Sequence, residues 1–216
     1  WRFSRVICYT FVCLFQAYTR FKRVDRKEKG RMLRYYPTQV LKLAGVRCSY
    51  EGNVPELLHE CGLTDTPPAY MVLSNHISWL DIFSLDSQLP SRFIAKAEIA
   101  KWPVFGLIAQ QIGTLFINRS SKRAILRIND DIRGALCNCE AVTIFAEGTT
   151  TFGNELLPIK ANFIAPACEI GATVQPVILS YKNKGKPTKR AAFAGDVTLF
   201  GSLWNVVTME DAEVVV

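Results

Sequence analysis

The sequence predicts an α/β fold, a mixed, largely parallel sheet flanked by helices, and three observations carry that prediction. Short apolar runs such as AYMVL (69–73) and AVTIFA (141–146) have the length and composition of buried strands. Stretches with helical character, such as 121–138, alternate with them. Polar and ionisable residues follow the strands at once, His76 after the first run and Glu147 after the second, and strand ends are where α/β sheets carry their sites. The 216 residues make one chain with enough length for a proper core.

Taken in order, residues 1–21 (WRFSRVICYTFVCLFQAYTRF) are apolar and aromatic with Arg near both ends. Their uncharged centre, Val6 to Thr19, is fourteen residues long, short of the roughly twenty that a spanning helix needs. A helix lying in a membrane interface, or the inner end of a longer span, is the reading; a core-packing helix is the alternative. A basic segment (22–34) and a second helix over roughly 28–44, stopped by Gly45, complete an N-terminal membrane-associated helical hairpin, residues 1–45. Residues 46–216 form the α/β domain. VRCSYEG (46–52) is its first strand, and a short helix at 55–60 interrupts the connection to Pro68, with His59 at the surface. SRFIAK (91–96) is a strand, EIAKWPVFGLIAQQIG a helical stretch broken at Pro103, and GTLFI a short strand leading to Arg119. LPIKANFIAPACEIG (157–171) reads as a helix closed by Gly171, ATVQPVILSY (172–181) as one strand and KNKGKPTKR (182–190) as a basic loop. A short strand, a helix near 198–207 and a terminal VVV strand finish the chain. It opens at Trp1 without Met, so a signal peptide or first transmembrane stretch ahead of it is expected to be missing.

Composition narrows the function class. The chain is 49% hydrophobic with mean hydropathy +0.12, and its net charge is +7. Residues 1–50 hold twelve Lys/Arg against two Asp/Glu, whereas the remainder is slightly acidic. A basic segment beside an apolar one marks a membrane surface with anionic lipids as the partner. No aromatic-basic strand motif accompanies the charge, so no nucleic acid is expected. The seven cysteines (8, 13, 48, 61, 137, 139, 168) are scattered and odd in number, and read as reduced, buried thiols of a cytosolic setting. Cys137 and Cys139 have no second pair nearby, so no metal site is expected.

The stretch SNHISWLD (74–81) carries the chemistry. In a continuous helix His76 and Asp81 would point about 140° apart. If His76 lies in the strand-to-helix turn and Ser78 caps a helix from Trp79, the ring folds back onto Asp81. The carboxylate then fixes the tautomer and leaves the second ring nitrogen as a base. Ser78 is the rival nucleophile, although its position suits a cap better. Read from these residues alone, a histidine bonded structurally to a helix terminus is equally compatible.

NHISWLD resembles the first block of the glycerolipid acyltransferases, the 1-acylglycerol-3-phosphate acyltransferase family. GTLFINR (113–119), FAEGTTT (145–151) and VQPVIL (174–179) follow in that family's order, and the resemblance covers roughly residues 45–200. It implies an acyltransferase domain over 46–216 that moves a fatty acyl group from a thioester to a lysolipid hydroxyl by direct attack, with His76 and Asp81 catalytic. Arg119 would bind the glycerol phosphate, as a guanidinium takes two oxygens at once. Glu147, Gly148 and Thr149 would bind the acceptor, Glu147 by holding Arg119 or a glycerol hydroxyl. Lys160 would serve the phosphate or the donor. Trp102 and Phe105 are candidate lining for the acyl groove, with plain core packing as the alternative. The oxyanion would find backbone N–H donors near the helix start after His76. No cofactor is implied; acyl-CoA or acyl carrier protein is the donor. The lysophospholipid is the acceptor, 1-acylglycerol 3-phosphate first and lyso-ornithine lipid as alternative, at the cytoplasmic face of a bacterial inner membrane. A non-catalytic lipid-binding protein is the alternative of another class. Two positions depart from the family's pattern: Ala146 stands where Pro is usual before Glu-Gly, and Ile159-Lys160-Ala161-Asn162 replaces Phe-Lys-x-Gly.

Overall fold

The structure, a computed structural model, describes residues 1–52, 69–118 and 122–216. The expected helix at 55–60, His59 and Arg119 lie outside the described residues.

Helix α1 (Arg2–Gln16) runs into a π-helical turn (Ala17–Phe21), and α2 (Arg26–Ala44) returns beside it. Asp25 caps α2 by accepting from Glu28 N, and Gly45 ends it in the left-handed region (φ 76°). A Cβ at Gly45 would also strike the Arg2 guanidinium. The hairpin is docked on the rest of the chain, with Val6, Leu41 and Ala44 buried in the same cluster as Tyr70, Val72 and Leu80. Among the described residues, no helix is long and apolar enough to cross a membrane.

Five parallel strands form the main sheet in the order β4-β3-β5-β2-β6: β2 (Tyr70–Ser74), β3 (Arg92–Lys96), β4 (Leu115–Ile117), β5 (Val142–Phe145) and β6 (Thr173–Val177). Strands β2 and β5 are buried almost along their whole length, as expected where both faces are covered, with Ser74 and Thr143 as their polar residues. Alternation sends Tyr70 and Val72 to one face and Met71 to the other. The hairpin and α3 (Leu80–Asp86) cover the first face. The amphipathic α5 (Lys122–Cys137) covers the second through Ile128, Ile132, Ala135 and Leu136. Each buried aliphatic side chain contributes about 1.5–3 kcal/mol. Between β3 and β4 a 3₁₀ turn (Ala97–Lys101) precedes α4 (Phe105–Gln111), so Pro103 does interrupt the helical stretch.

A second sheet, β1-β9-β7-β8, is mixed: β1 (Val46–Ser49) runs parallel to β9 (Ala212–Val215), and β7 (Ser180–Asn183) runs antiparallel to both β9 and β8 (Lys186–Pro187). Five expectations are corrected here. Residues 157–171 hold only a 3₁₀ turn (Ala161–Phe163) and the short α6 (Ala165–Glu169), since Pro158 and Pro166 interrupt backbone pairing. The run 172–181 is two strands in two sheets. Pro176 is tolerated in β6 because β6 is an edge strand, and the chain turns away after it. The basic run 182–190 is no simple loop, for it carries the β7–β8 hairpin, turning at Lys184 and Gly185; residues 191–197 form no strand and lead directly into α7 (Leu199–Val207). The six described cysteines are free, as expected, but none is fully buried: Cys8 sits on the outer side of α1, and Cys137 and Cys139 close the exposed end of α5.

Candidate active site

The sheet register builds the site. Ser74 of β2 lies opposite Phe145 of the adjacent parallel strand β5. Two residues past each strand end, His76 and Glu147 therefore face each other, and His76 N–H donates to Glu147 Oε1 at 3.0 Å. Glu147 Oε2 accepts from Leu157 N at 3.1 Å. Glu147 is 5% exposed, so this carboxylate fastens the β5 loop to the histidine turn. Gly148, with φ 75°, closes the turn through its N–H to Phe145 O. Ala146 occupies the second position of that turn, where Pro is favoured but not required.

His76 Nδ1 lies 2.7 Å from Asp81 Oδ2. The same oxygen accepts from Ile77 N at 2.7 Å and Ser78 N at 2.9 Å. Tyr181 O–H donates to the other oxygen, Oδ1. Asp81 is fully buried, and four donors converge on it at the start of α3, where the helix dipole favours a negative charge. Burial, reinforced by Asp81 alongside, pushes the Tyr181 hydroxyl well above its ordinary pKa and keeps it a donor. The imidazole stacks on Phe145 with centroids 3.8 Å apart and planes 9° from parallel. Thr151 N–H binds His76 O at 2.8 Å, and Phe193 N–H binds Ile77 O at 2.8 Å. The turn is thus held from both sides. A proton on Nδ1, donated to Asp81, leaves the Nε2 lone pair on the opposite edge of the ring.

Beside the ring lies a cavity of about 710 Å³ between the N-terminal hairpin and the sheet, a volume in the range of ligand pockets. His76, Gly148 and Thr149 stand on its wall, and so do Trp102 and Phe105. Thr10, Phe21, Tyr36 and Val40 supply the hairpin's side. One ionisable group on the wall is almost buried: Asp86, 2% exposed, accepts from Ser91 N at 3.1 Å. Burial pushes its carboxyl well above the usual range, the Ser91 bond pulling weakly the other way.

Three sequence-derived expectations change. Ser78 caps nothing well: α3 starts after Trp79, and Ser78 Oγ reaches Leu80 N only at 3.4 Å. Its side chain is wholly buried, which removes it as a nucleophile. The oxyanion's backbone donors, expected near the helix start after His76, are not those of Ile77 and Ser78, whose N–H groups Asp81 takes. Lys160 is exposed and does not line the cavity; its N–H binds Ala146 O at 3.2 Å. Asn162, the other departure from the motif, uses its carbonyl to accept from Asn129 Nδ2 at 3.0 Å.

Sequence reasoning missed Tyr181 and Asn75. Asn75 binds Leu179 twice, Nδ2 to the carbonyl at 3.0 Å and Oδ1 from the N–H at 2.7 Å. This side chain replaces a backbone partner where β6 ends, and it sets the chain on the path that brings Tyr181 to Asp81. A polar residue directly after a buried strand was a signal for Asn75. Nothing local marked Tyr181, a hundred residues from its partner.

The chain is similar to known proteins in sequence and in fold. Residues 48–180 match the acyltransferase family model. The 1-acyl-sn-glycerol-3-phosphate acyltransferase of Neisseria gonorrhoeae is 44% identical over 145 residues, 67% of this chain and 56% of that protein. The lyso-ornithine lipid O-acyltransferase of Pseudomonas aeruginosa is 39% identical over 142 residues, 66% of this chain and 55% of that protein. This chain spans little more than half the length of these curated relatives. The crystal structure of the 1-acyl-sn-glycerophosphate acyltransferase PlsC from Thermotoga maritima shares the fold, with a TM-score of 0.60 at 17% identity over 100% of this chain and 85% of that one. With a strand-end histidine held by a buried aspartate, and a family model matched across most of the α/β core, this chain belongs to the acyltransferase family.

Proposed function

We propose that this protein is a membrane-bound acyltransferase that moves a fatty acyl group from acyl-CoA or acyl carrier protein to the free hydroxyl of 1-acylglycerol 3-phosphate. The observation that carries the reading is the His76–Asp81 pair, at 2.7 Å, on the wall of the large cavity. The acceptor hydroxyl attacks the thioester carbonyl carbon while Nε2 of His76 takes its proton. The tetrahedral intermediate then expels the donor's sulfur, and the imidazolium returns the proton to that sulfur. The product is an ester plus a free thiol. Asp81 stabilises the transient imidazolium and is a positioning residue, as is Glu147, which holds the His76 turn. Thr149, also on the cavity wall, meets the acceptor, and Arg119 takes its phosphate. The acyl chain lies along Trp102 and Phe105. The exposed aromatic stripe of α1 and the basic segment after it hold the hairpin on the bilayer.

The name of the Pseudomonas aeruginosa relative favours a second acceptor, lyso-ornithine lipid, whose carboxylate would meet Arg119 in place of a phosphate. Thiol release is measured with acyl-CoA or acyl carrier protein as donor and with each lysolipid in turn. Turnover on 1-acylglycerol 3-phosphate well above that on lyso-ornithine lipid is expected. The reverse ranking moves the assignment to the second acceptor, and no transfer to either removes the reading.

A further inference from the structure

Helix α7 presents an uncharged aromatic face to solvent. Its sequence, LFGSLWNVV, contains no ionisable residue. Ser202, Leu203, Val206 and Val207 are buried, while Phe200 is 68% and Trp204 58% exposed. Spaced by four, the two aromatics share one face. An ordinary surface helix places charged and polar groups there. Helix α1 has the same inverted character, for Phe11, Val12 and Phe15 are exposed, and so is Tyr18 in the π-helical turn after it.

The two helices adjoin. The rings of Phe3 and Trp204 meet edge to face with centroids 5.9 Å apart, and Arg2 Nη1 donates to Met209 O, just past α7, at 2.8 Å. The rim is basic. Arg2 and Arg5 lie on α1, and Arg190 Nη2 donates to Thr208 Oγ1 at the end of α7, 3.1 Å away.

We propose that Phe200 and Trp204 of α7 insert into the same leaflet as the exposed stripe of α1, so that the bilayer-facing surface is built from two parts of the chain nearly two hundred residues apart. The inference rests on the membrane-bound part of the proposed function and extends it beyond the N-terminal hairpin. The occupant is an anionic bilayer surface. Aromatic rings settle at headgroup depth, and a guanidinium rim is drawn to anionic headgroups. The same rim would repel a second copy of itself. Ser202, on the buried side of α7, accepts from Trp79 Nε1 at 3.1 Å, and Leu199 lines the cavity. Docking α7 would therefore hold the cavity wall next to the lipid that supplies its substrates.

The test is co-sedimentation with vesicles of phosphatidylglycerol and phosphatidylcholine for wild type, for Phe200→Ser/Trp204→Ser and for Phe11→Ser/Phe15→Ser. Each is also assayed on a short-chain lysophosphatidic acid dissolved as monomers, which reports an intact site without a bilayer. Removing two inserted aromatics should lower the partition coefficient by about tenfold or more, with turnover on the monomeric acceptor retained. Should the double variant fail to fold, Phe200→Ser alone gives the same direction. Wild-type partitioning by the α7 variant, with loss only in the α1 variant, overturns the inference and leaves the hairpin as the membrane contact. An α7 variant that only dissolves a lipid-free dimer assigns the face to a second copy and also overturns it. Wild type that ignores anionic vesicles removes the membrane-bound reading itself.

Discussion

Two aspartates on one short helix show what this protein does with a buried carboxyl. Asp81 stands in the first turn of α3 and Asp86 in the last residue, and both are hidden from solvent. Asp81 receives four hydrogen bonds, from His76, Ile77, Ser78 and Tyr181. Asp86 receives one, from Ser91 N. The helix dipole favours a charge at the first position and opposes it at the second. Burial alone pushes Asp86 toward its neutral form, whereas the donors around Asp81 are those an ionised, acceptor-only carboxylate requires. The chain thus collects donors only where a charge is put to use, beside the histidine.

The largest effect expected from this contrast is on chemistry. His76→Ala should lower turnover by roughly a thousandfold or more, with circular dichroism unchanged; wild-type thiol release would break the mechanism. Asp81→Asn removes the charge facing the imidazolium and should cost roughly a hundredfold in kcat, with KM for the acceptor little changed. Tyr181→Phe leaves Asp81 Oδ1 without its donor, and the denaturation midpoint should report a loss of about 1–3 kcal/mol. At the other end of the helix, Asp86→Asn keeps an acceptor for Ser91 N and should leave turnover close to wild type. Its effect is on pH. Above the unfolded-state pKa of about 3.9 the unfolded chain releases the Asp86 proton while the folded chain keeps it. Stability of the wild type therefore falls as pH rises from there toward the raised folded-state value. The Asn variant should match wild type near pH 4 and become the more stable of the two toward neutral pH. Parallel stability curves would show that burial does not raise the Asp86 carboxyl.

The His76–Asp81 pair was legible because both residues belong to one eight-residue stretch, and the parallel order of the sheet followed from strands alternating with helices. The partners that finish the site were not. Tyr181 reaches Asp81 only because the run 172–181 breaks between two sheets, and that break depends on Asn75 binding Leu179 across the fold. The family resemblance gave Glu147 an acceptor role, by holding Arg119 or a glycerol hydroxyl; its bonds to His76 N and Leu157 N could not be read that way, for they are set by the register of β2 against β5. Phe200 and Trp204 carry no motif at all; their exposure appears only once the opposite face of α7 is packed.

The most direct test of the account is the tautomer of His76. The chain has only two histidines, so ¹⁵N-histidine labelling with His59→Gln as the assignment control isolates its ring in long-range ¹H–¹⁵N spectra. The account predicts, for the neutral ring, a proton on Nδ1 and a bare Nε2, and loss of that preference in Asp81→Asn. A neutral ring protonated on Nε2 would place no lone pair at the cavity and would contradict the role of His76 as the base.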